Sequence, residues 1–261
     1  MGNQNTHIKK CLFCGTEAKS FKKLEHIIPE SLGNKTYVLN TAVCDDCNKY
    51  FSNLENYFVH HHLASAIRLL SLSETKKGKP PMQPLEGGEI RKQKDGKLEL
   101  TQSKVESESF SITFFANDIV IKGTYNLPET DAKKISRILS KIGLETLFLK
   151  ERDIAFSHEY NQIRYYARYG NTLKFIPFLW KSRNEINIDL KIAEISNNSS
   201  GIYKFAAIYV PGCIYYIPLH RFTETHAFDY LAELYSLIKV YNPTKIKRDP
   251  ISFEAWGSTI K

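Results

Sequence analysis

The chain lacks the features that mark membrane and secreted proteins. No apolar run approaches the roughly 20 residues that a helix needs to cross a bilayer. The N-terminal residues MGNQNTHIKK are polar. We therefore expect no membrane partner, no secretory signal and a cytoplasmic location. Internal repeats and low-complexity tracts are also missing, so the 261 residues fit one large domain or two modest ones.

Cysteine is scarce, and its distribution is uneven. Four of the five cysteines form two CxxC pairs, Cys11/Cys14 and Cys44/Cys47. Two residues between paired cysteines let one tight turn aim both sulfurs at the same ion, and zinc favours four such ligands in a tetrahedron. Disulfides or redox thiols are the alternative, but no secretory signal precedes them and Cys213 would be left over. The pattern predicts a structural zinc site.

Acidic residues are outnumbered by basic ones. The chain has 36 Lys and Arg against 28 Asp and Glu, a formal net charge of +8. Such a balance favours a polyanionic partner without naming it. The hydrophobic content of 42% is sufficient to bury a core.

The segment between the cysteine pairs carries a second set of polar residues. Glu25 and His26 are neighbours, Asn40 follows later, and Asn48 comes directly after the second pair. Oxygen ligands such as those of Glu25 and Asn48 suit Mg²⁺ or Mn²⁺ better than zinc. A regular strand would point Glu25 and His26 to opposite faces, so we expect a bent backbone there. The alternative is that His26 is a packed strand residue or a bystander of the zinc site.

These motifs together resemble a known family. The run EHIIPESLGN, followed by LN and CDDCNKYF, is similar to the HNH endonucleases of the ββα-metal superfamily, in the zinc-stabilised form with two CxxC pairs. The resemblance implies that Glu25 and Asn48 bind a catalytic Mg²⁺ or Mn²⁺ and that His26 is the general base. It also implies that Asn40 braces the loop that positions His26. The sequence departs from the family in having Glu25 where many members have Asp, and Asn48 in place of the final His.

The resemblance implies a metal-dependent endonuclease that hydrolyses phosphodiester bonds of DNA, with RNA left open as a substrate. By analogy, a restriction or anti-phage defence nuclease is the expected role, and a mobile-element endonuclease is the second. A non-catalytic zinc-finger nucleic-acid-binding protein is the alternative from another class. A homodimer, and a nucleotide or protein activator, are the further partners that the sequence leaves open.

The expected fold is α+β. It comprises an N-terminal ββα-metal module stapled by zinc, a long helix over residues 45–72, and a mixed α+β C-terminal domain. Residues 1–72 form the nuclease module, 73–107 a linker with an exposed hairpin around Asp95, and 108–261 a recognition or sensor domain.

Hydrophobic patterning predicts the elements of the C-terminal domain. Strands are expected at Phe110–Phe115, Ile119–Lys122, Leu173–Leu179, Glu185–Ile195, Ile202–Val210 and Cys213–Leu219, and helices at residues 131–149, 158–170 and 223–240.

Three basic residues are the predicted nucleic-acid contacts, namely Lys49, Arg164 and Arg168. The two arginines lie four residues apart among tyrosines, and guanidinium groups bind phosphates while tyrosine rings stack on bases. The alternative is a helix that packs through its tyrosines and leaves the arginines in solvent.

Overall fold

The computed structural model of the chain shows an α+β fold, as the sequence predicts. It describes residues 10–17, 20–60, 64, 69, 78–85, 88–93, 95, 98–102, 110–115, 118–125, 129–170, 178–181, 187–197, 201–210, 213–219, 239–240 and 251–258. All strand pairings within these ranges are antiparallel. Within the same ranges, no helix combines the length and the apolar character needed to cross a membrane.

The N-terminal module is a short hairpin followed by a helix. Strand β1 (Glu25–His26) pairs with β2 (Val38–Leu39), and helix α1 spans Asp45–His60. Phe51 on α1 is fully buried, and its ring packs against Phe13 with the ring centroids 4.5 Å apart. The helix predicted over 45–72 is confirmed across α1, and positions 64 and 69 are also helical; its other residues lie outside the described ranges.

The predicted linker contains more regular structure than expected. Strands β3 (Met82–Leu85), β4 (Gly88–Lys92) and β5 (Leu98–Gln102) form an antiparallel sheet in that order. Strands β4 and β5 pair on either side of residue 95, as the predicted hairpin requires, whereas β3 was not anticipated.

Two predicted strands acquire a distant partner. Strands β6 (Phe110–Phe115) and β7 (Asp118–Tyr125) form the expected pair. Strand β13 (Ile251–Ser258), which the sequence pattern did not reveal, pairs with β7 on its other side. The sheet therefore joins segments that are more than a hundred residues apart in the chain.

A five-stranded sheet completes the C-terminal part, in the order β12-β8-β11-β10-β9. Its strands, in chain order, are β8 (Phe178–Lys181), β9 (Asp189–Asn197), β10 (Gly201–Val210), β11 (Cys213–Pro218) and β12 (Lys239–Val240). The predicted strands around β8 to β11 are confirmed within the described residues. The helix predicted over 223–240 is corrected at its end, where β12 pairs with β8; residues 220–238 lie outside the described ranges.

Helix α2 (Glu129–Lys150) packs against elements from both the N-terminal and the C-terminal part of the chain. It contacts α1, helix α3 (Asn161–Tyr169) and strands β9, β10 and β11. Every residue from Ile138 to Phe148 is buried, which is typical of a helix that is surrounded by the core rather than one that exposes a face to solvent. Buried side chains on both sides of the 73–107 segment form one continuous core, so the N-terminal module and the C-terminal sheet pack on the same helix.

Gly143 sets how closely α2 approaches the sheet. A Cβ atom at this position would lie 2.8 Å from Ile217 Cγ2, which is nearer than two carbons can approach. We expect Gly143→Ala to lower the free energy of unfolding by up to about 2 kcal/mol, since overpacking costs about 1–3 kcal/mol and the gain in helix propensity is about 1 kcal/mol. Urea unfolding measures this. An Ile217→Ala background removes the 2.8 Å contact and leaves Ile217 Cβ at 3.3 Å, so the same change should cost less there. Stabilisation in the unmodified chain would contradict the close approach.

Candidate functional site

The four cysteines of the two CxxC pairs converge on one point. Their sulfur atoms all lie within 4.8 Å of one another, and Cys14 Sγ is 3.7 Å from Cys44 Sγ. A zinc tetrahedron with Zn–S bonds of about 2.3 Å has S–S edges of about 3.8 Å. A disulfide would require about 2.05 Å. The donor set and its spacing fit a structural zinc ion.

Local turns build this cage. The first pair sits on a tight turn in which Gly15, at φ +70°, donates its N–H to the Cys11 carbonyl, and the second pair opens helix α1. The Cys44 N–H points at Cys11 Sγ, 3.4 Å away. The hydrogen bond from Cys47, together with hydrogen bonds from nearby backbone N–H groups, lowers the pKa of Cys11 to about 4. Burial raises the pKa of Cys44 to about 11. Zinc would take all four as thiolates.

Glu25 and Asn48 meet beside the cage. Glu25 lies on β1, and Asn48 lies in the first turn of α1, directly after Cys47. Asn48 Nδ2 is 2.7 Å from Glu25 Oε2 and 3.3 Å from the Leu24 carbonyl oxygen. The Glu25 side chain is buried, at 3% exposure. The structure therefore brings together the two predicted metal-binding residues, one from the hairpin and one from the helix of the module.

His26 occupies the edge of the same site. Its ring is 31% exposed, and its Nε2 lies 3.7 Å from Glu30 Oε2. Its Nδ1 atom is buried and has no hydrogen-bond partner among the described residues. Strand β1 ends at His26 and the chain bends immediately afterwards, which is the irregular backbone that the Glu25-His26 dipeptide requires. One imidazole nitrogen is thus left without a hydrogen-bond partner in the part of the chain that the structure describes.

The loop between the two strands is braced by a residue that the sequence reading missed. Asn34 is buried, and its side chain donates to the Ile28 and Tyr37 carbonyls and accepts from the Thr36 and Tyr37 N–H groups. Its position beside Gly33, in a loop between short strands, was the available signal.

Asn40, for which the resemblance implies the bracing role, is exposed directly after β2. The next residue, Thr41, has φ +64°, a conformation that is unusual for a β-branched side chain. The role of Asn40 stays a prediction.

Lys141 of α2 is the most consequential residue that the sequence reading did not find. Its ammonium is fully buried and contacts Glu25 Oε1, Glu55 Oε1 at 2.6 Å and Glu145 Oε2 at 3.0 Å. It also donates to the His26 carbonyl at 3.2 Å. The signal was a Lys-Glu pair at i and i+4 inside the largely apolar run from Ile138 to Phe148, a pair that must find partners when buried.

The charges of this cluster are strongly coupled. Burial works to lower the pKa of Lys141, but the surrounding carboxylates outweigh burial and raise it well above its usual range. Burial raises the pKa of Glu145 well above normal. Burial also raises the pKa of Glu25, while Lys141 and Asn48 act in the opposite direction. The carboxylates around Lys141 therefore favour its charged form.

The three predicted nucleic-acid contacts have different positions. Lys49 is exposed on α1 beside Asn48. Arg168 is partly buried, with its guanidinium carbon 3.7 Å from the Tyr50 ring centroid. Arg164 is buried, and its guanidinium donates to the carbonyls of Leu12 and Ala155 and to Asn161. Arg164 thus joins α3 to the zinc loop, which is a correction to the surface position that a phosphate contact requires.

Replacing Arg164 should test that structural role. We expect Arg164→Met to lower the free energy of unfolding by about 3 kcal/mol, since buried hydrogen bonds to a charged group contribute about 1.5–3 kcal/mol each. The exposed Arg152 supplies a matched control, because Arg152→Met removes the same charge without leaving buried carbonyl oxygens short of a hydrogen-bond donor. Urea denaturation compares the two. Equal stabilities would show that the contacts of Arg164 add nothing.

Two short strands, a helix that starts at the second cysteine pair, and a four-thiolate cage beside an acid–His pair define a ββα-metal module with a structural zinc site. Residues 11–63 match the family model described as HNH endonuclease. The N-terminal segment is therefore an HNH-type module within an α+β chain. No curated protein and no solved structure matches the chain. The matched segment contains both CxxC pairs and the cluster residues of β1 and α1, whereas Lys141 lies outside it.

Proposed function

We propose that the chain is a metal-dependent HNH endonuclease that hydrolyses phosphodiester bonds of DNA. The observation that carries this proposal is the meeting of Glu25 and Asn48 at 2.7 Å next to His26, inside the segment that matches the HNH endonucleases. The His26 side chain is 31% exposed, so water can reach the ring, as a general base requires. The net charge of +8 suits a polyanionic substrate.

Glu25 and Asn48 fit a hard divalent cation. Octahedral Mg²⁺ or Mn²⁺ with ligand distances of about 2.0–2.1 Å places neighbouring oxygens about 2.9 Å apart. A half-turn of the Asn48 amide exchanges its nitrogen and oxygen, so its Oδ1 would lie close to that distance from Glu25 Oε2. The two residues would hold the cation, which when bound stabilises the charge that develops on the phosphate and the leaving oxygen.

The protein's own residues then supply the proton chemistry. The His26 imidazole accepts a proton from a water molecule as the water oxygen forms a bond to phosphorus and the bond to the 3′ oxygen breaks. Glu30, near Nε2, helps to orient the ring. Lys49 is exposed on the same helix turn as Asn48, where it can contact the phosphate backbone.

One observation favours the alternative of a zinc-finger binding protein without catalysis. Lys141 contacts Glu25 Oε1, so the main acidic ligand already has a cationic partner. A binding protein would keep this cluster only for stability.

A plasmid assay separates the two functions. Full-length protein loaded with one zinc ion is incubated with supercoiled DNA and Mg²⁺ or Mn²⁺, with labelled RNA in a parallel reaction. An endonuclease converts the plasmid to nicked or linear forms, and EDTA added to the reaction stops this. Binding of DNA with no cleavage under any metal condition would favour the binding protein.

The expected defence role is tested in cells. If the protein is a restriction or anti-phage nuclease, as we propose by analogy, its expression lowers the plating efficiency of phage and His26→Ala restores it. Unchanged plating with an active enzyme would favour the mobile-element role instead.

A further inference from the structure

Glu25 is held between two different partners, one on each oxygen. The ammonium of Lys141 contacts Oε1, and the Asn48 amide lies against Oε2. Lys141 is 0% exposed and makes its contacts from α2. It lies 78 residues beyond the end of the segment that matches the HNH endonucleases. The candidate metal site of this chain is therefore completed by a residue outside the HNH module.

We propose that Lys141 is a positioning residue for the catalytic cation. By occupying Oε1, it fixes the Glu25 carboxylate so that Oε2 alone, together with Asn48, is presented to Mg²⁺ or Mn²⁺. This inference rests on the proposed endonuclease function and names a determinant of metal binding in it.

The charge arrangement explains why the ammonium is needed. Glu25, Glu55 and Glu145 all contact the same Nζ atom, so three carboxylates gather around one cation. Without Lys141 these carboxylates would face one another in a buried site, where like charges repel strongly. Glu25 would then turn away from its neighbours and leave the position beside Asn48.

Helix α2 is well placed to hold Lys141 still. Lys134, Arg137 and Lys141 recur at three- and four-residue steps and face α1. The Lys134 ammonium lies 4.4 Å from the Tyr57 ring centroid, and Arg137 donates to the Tyr50 hydroxyl. Arg137 also donates to the carbonyls of Ala167 and Arg168 at the end of α3. These contacts fix α2 against α1 on the same face that delivers the ammonium to Glu25.

The test measures Mn²⁺ binding by electron paramagnetic resonance in full-length protein whose structural zinc is confirmed at one per chain. Lys141→Met should weaken Mn²⁺ binding about 10–100-fold, the range typical for the loss of a residue that orients a metal ligand. A double variant, Lys141→Met with Glu145→Leu, replaces both members of a buried ion pair by apolar side chains, a replacement that proteins often tolerate. It should show the same weakening with normal zinc content.

Lys204→Met is the matched control. Lys204 also binds two carboxylates, Glu151 and Glu194, but touches no residue of the candidate site. The Lys204→Met variant loses the same charge as Lys141→Met, so its Mn²⁺ affinity should stay within about twofold of that of the unmodified protein. A merely structural role for Lys141 would lower the melting temperature without changing the Mn²⁺ affinity of the folded protein.

Two results would overturn the inference while leaving the endonuclease proposal intact. One is Mn²⁺ binding of unchanged affinity in both folded lysine variants. The other is tighter binding, which would mean that the ammonium competes with the cation. If the unmodified zinc-loaded protein binds no Mn²⁺, with or without DNA, and cleaves nothing, then the endonuclease proposal fails and this inference fails with it.

Discussion

Replacing His26 with alanine should lower the rate of DNA nicking about 10²–10⁴-fold, the typical contribution of a positioned general base. The imidazole is partly exposed, and its Nδ1 has no hydrogen-bond partner among the described residues. DNA binding should persist, because the variant keeps the positive net charge of the chain and the fold of the N-terminal module. The measurement is single-turnover nicking at saturating Mn²⁺, together with the dissociation constant for DNA in the absence of cleavage.

A matched control distinguishes the chemistry from a general loss of histidine. His158 is exposed on a 3-10 turn before α3, far along the chain from β1, and His158→Ala should nick at the normal rate. A His26→Ala protein that retains its zinc and nicks within a few-fold of the unmodified rate would exclude His26 as the base.

Removing the zinc should unfold the N-terminal module. Strands of two residues each cannot hold the hairpin by themselves, and Cys11, Cys44 and Cys47 are buried at the point where the first turn meets α1. Apparent binding free energies of structural zinc reach about 10–16 kcal/mol and are folding free energies in small modules. Cys47→Ser should therefore lower zinc from one per chain to none, abolish nicking and remove the thermal transition of the module.

The chain offers its own control for the loss of a thiol. Cys213 lies outside the CxxC pairs, so Cys213→Ser should keep one zinc per chain and normal nicking. A strong chelator should reproduce the Cys47→Ser result in the unmodified protein, and added zinc should reverse it. Zinc-free protein that keeps its module fold and its activity would show that the cage is dispensable.

The local parts of the candidate site follow from short stretches of sequence. Each CxxC pair fits one turn, the Glu25-His26 dipeptide ends one strand, and Asn48 opens the helix that the second pair begins. Because these residues are fixed by the turns that carry them, their spacing was enough to predict the cage and the oxygen pair. The α+β class, helices α2 and α3, and most strands also followed from periodicity.

Other features depend on which segments meet across the fold. The pairing of β13 with β7 joins residues more than a hundred positions apart, and no local pattern specifies such a partner. The sequence pattern predicted Arg164 as a surface contact, because its neighbours on α3 are tyrosines. The carbonyl oxygens that it binds belong to the zinc loop, which is distant in the chain, and to the turn before α3.

The sequence by itself therefore determined the four-cysteine cluster and the HNH-type module, because each is encoded by residues a few positions apart on one turn, strand or helix. Only the tertiary structure decided that Lys141 neutralises Glu25. That contact exists because α2 packs on α1 and on the sheet together. Lys141, whose local partner is Glu145, thereby also meets Glu25 and Glu55 of the N-terminal module in a buried site.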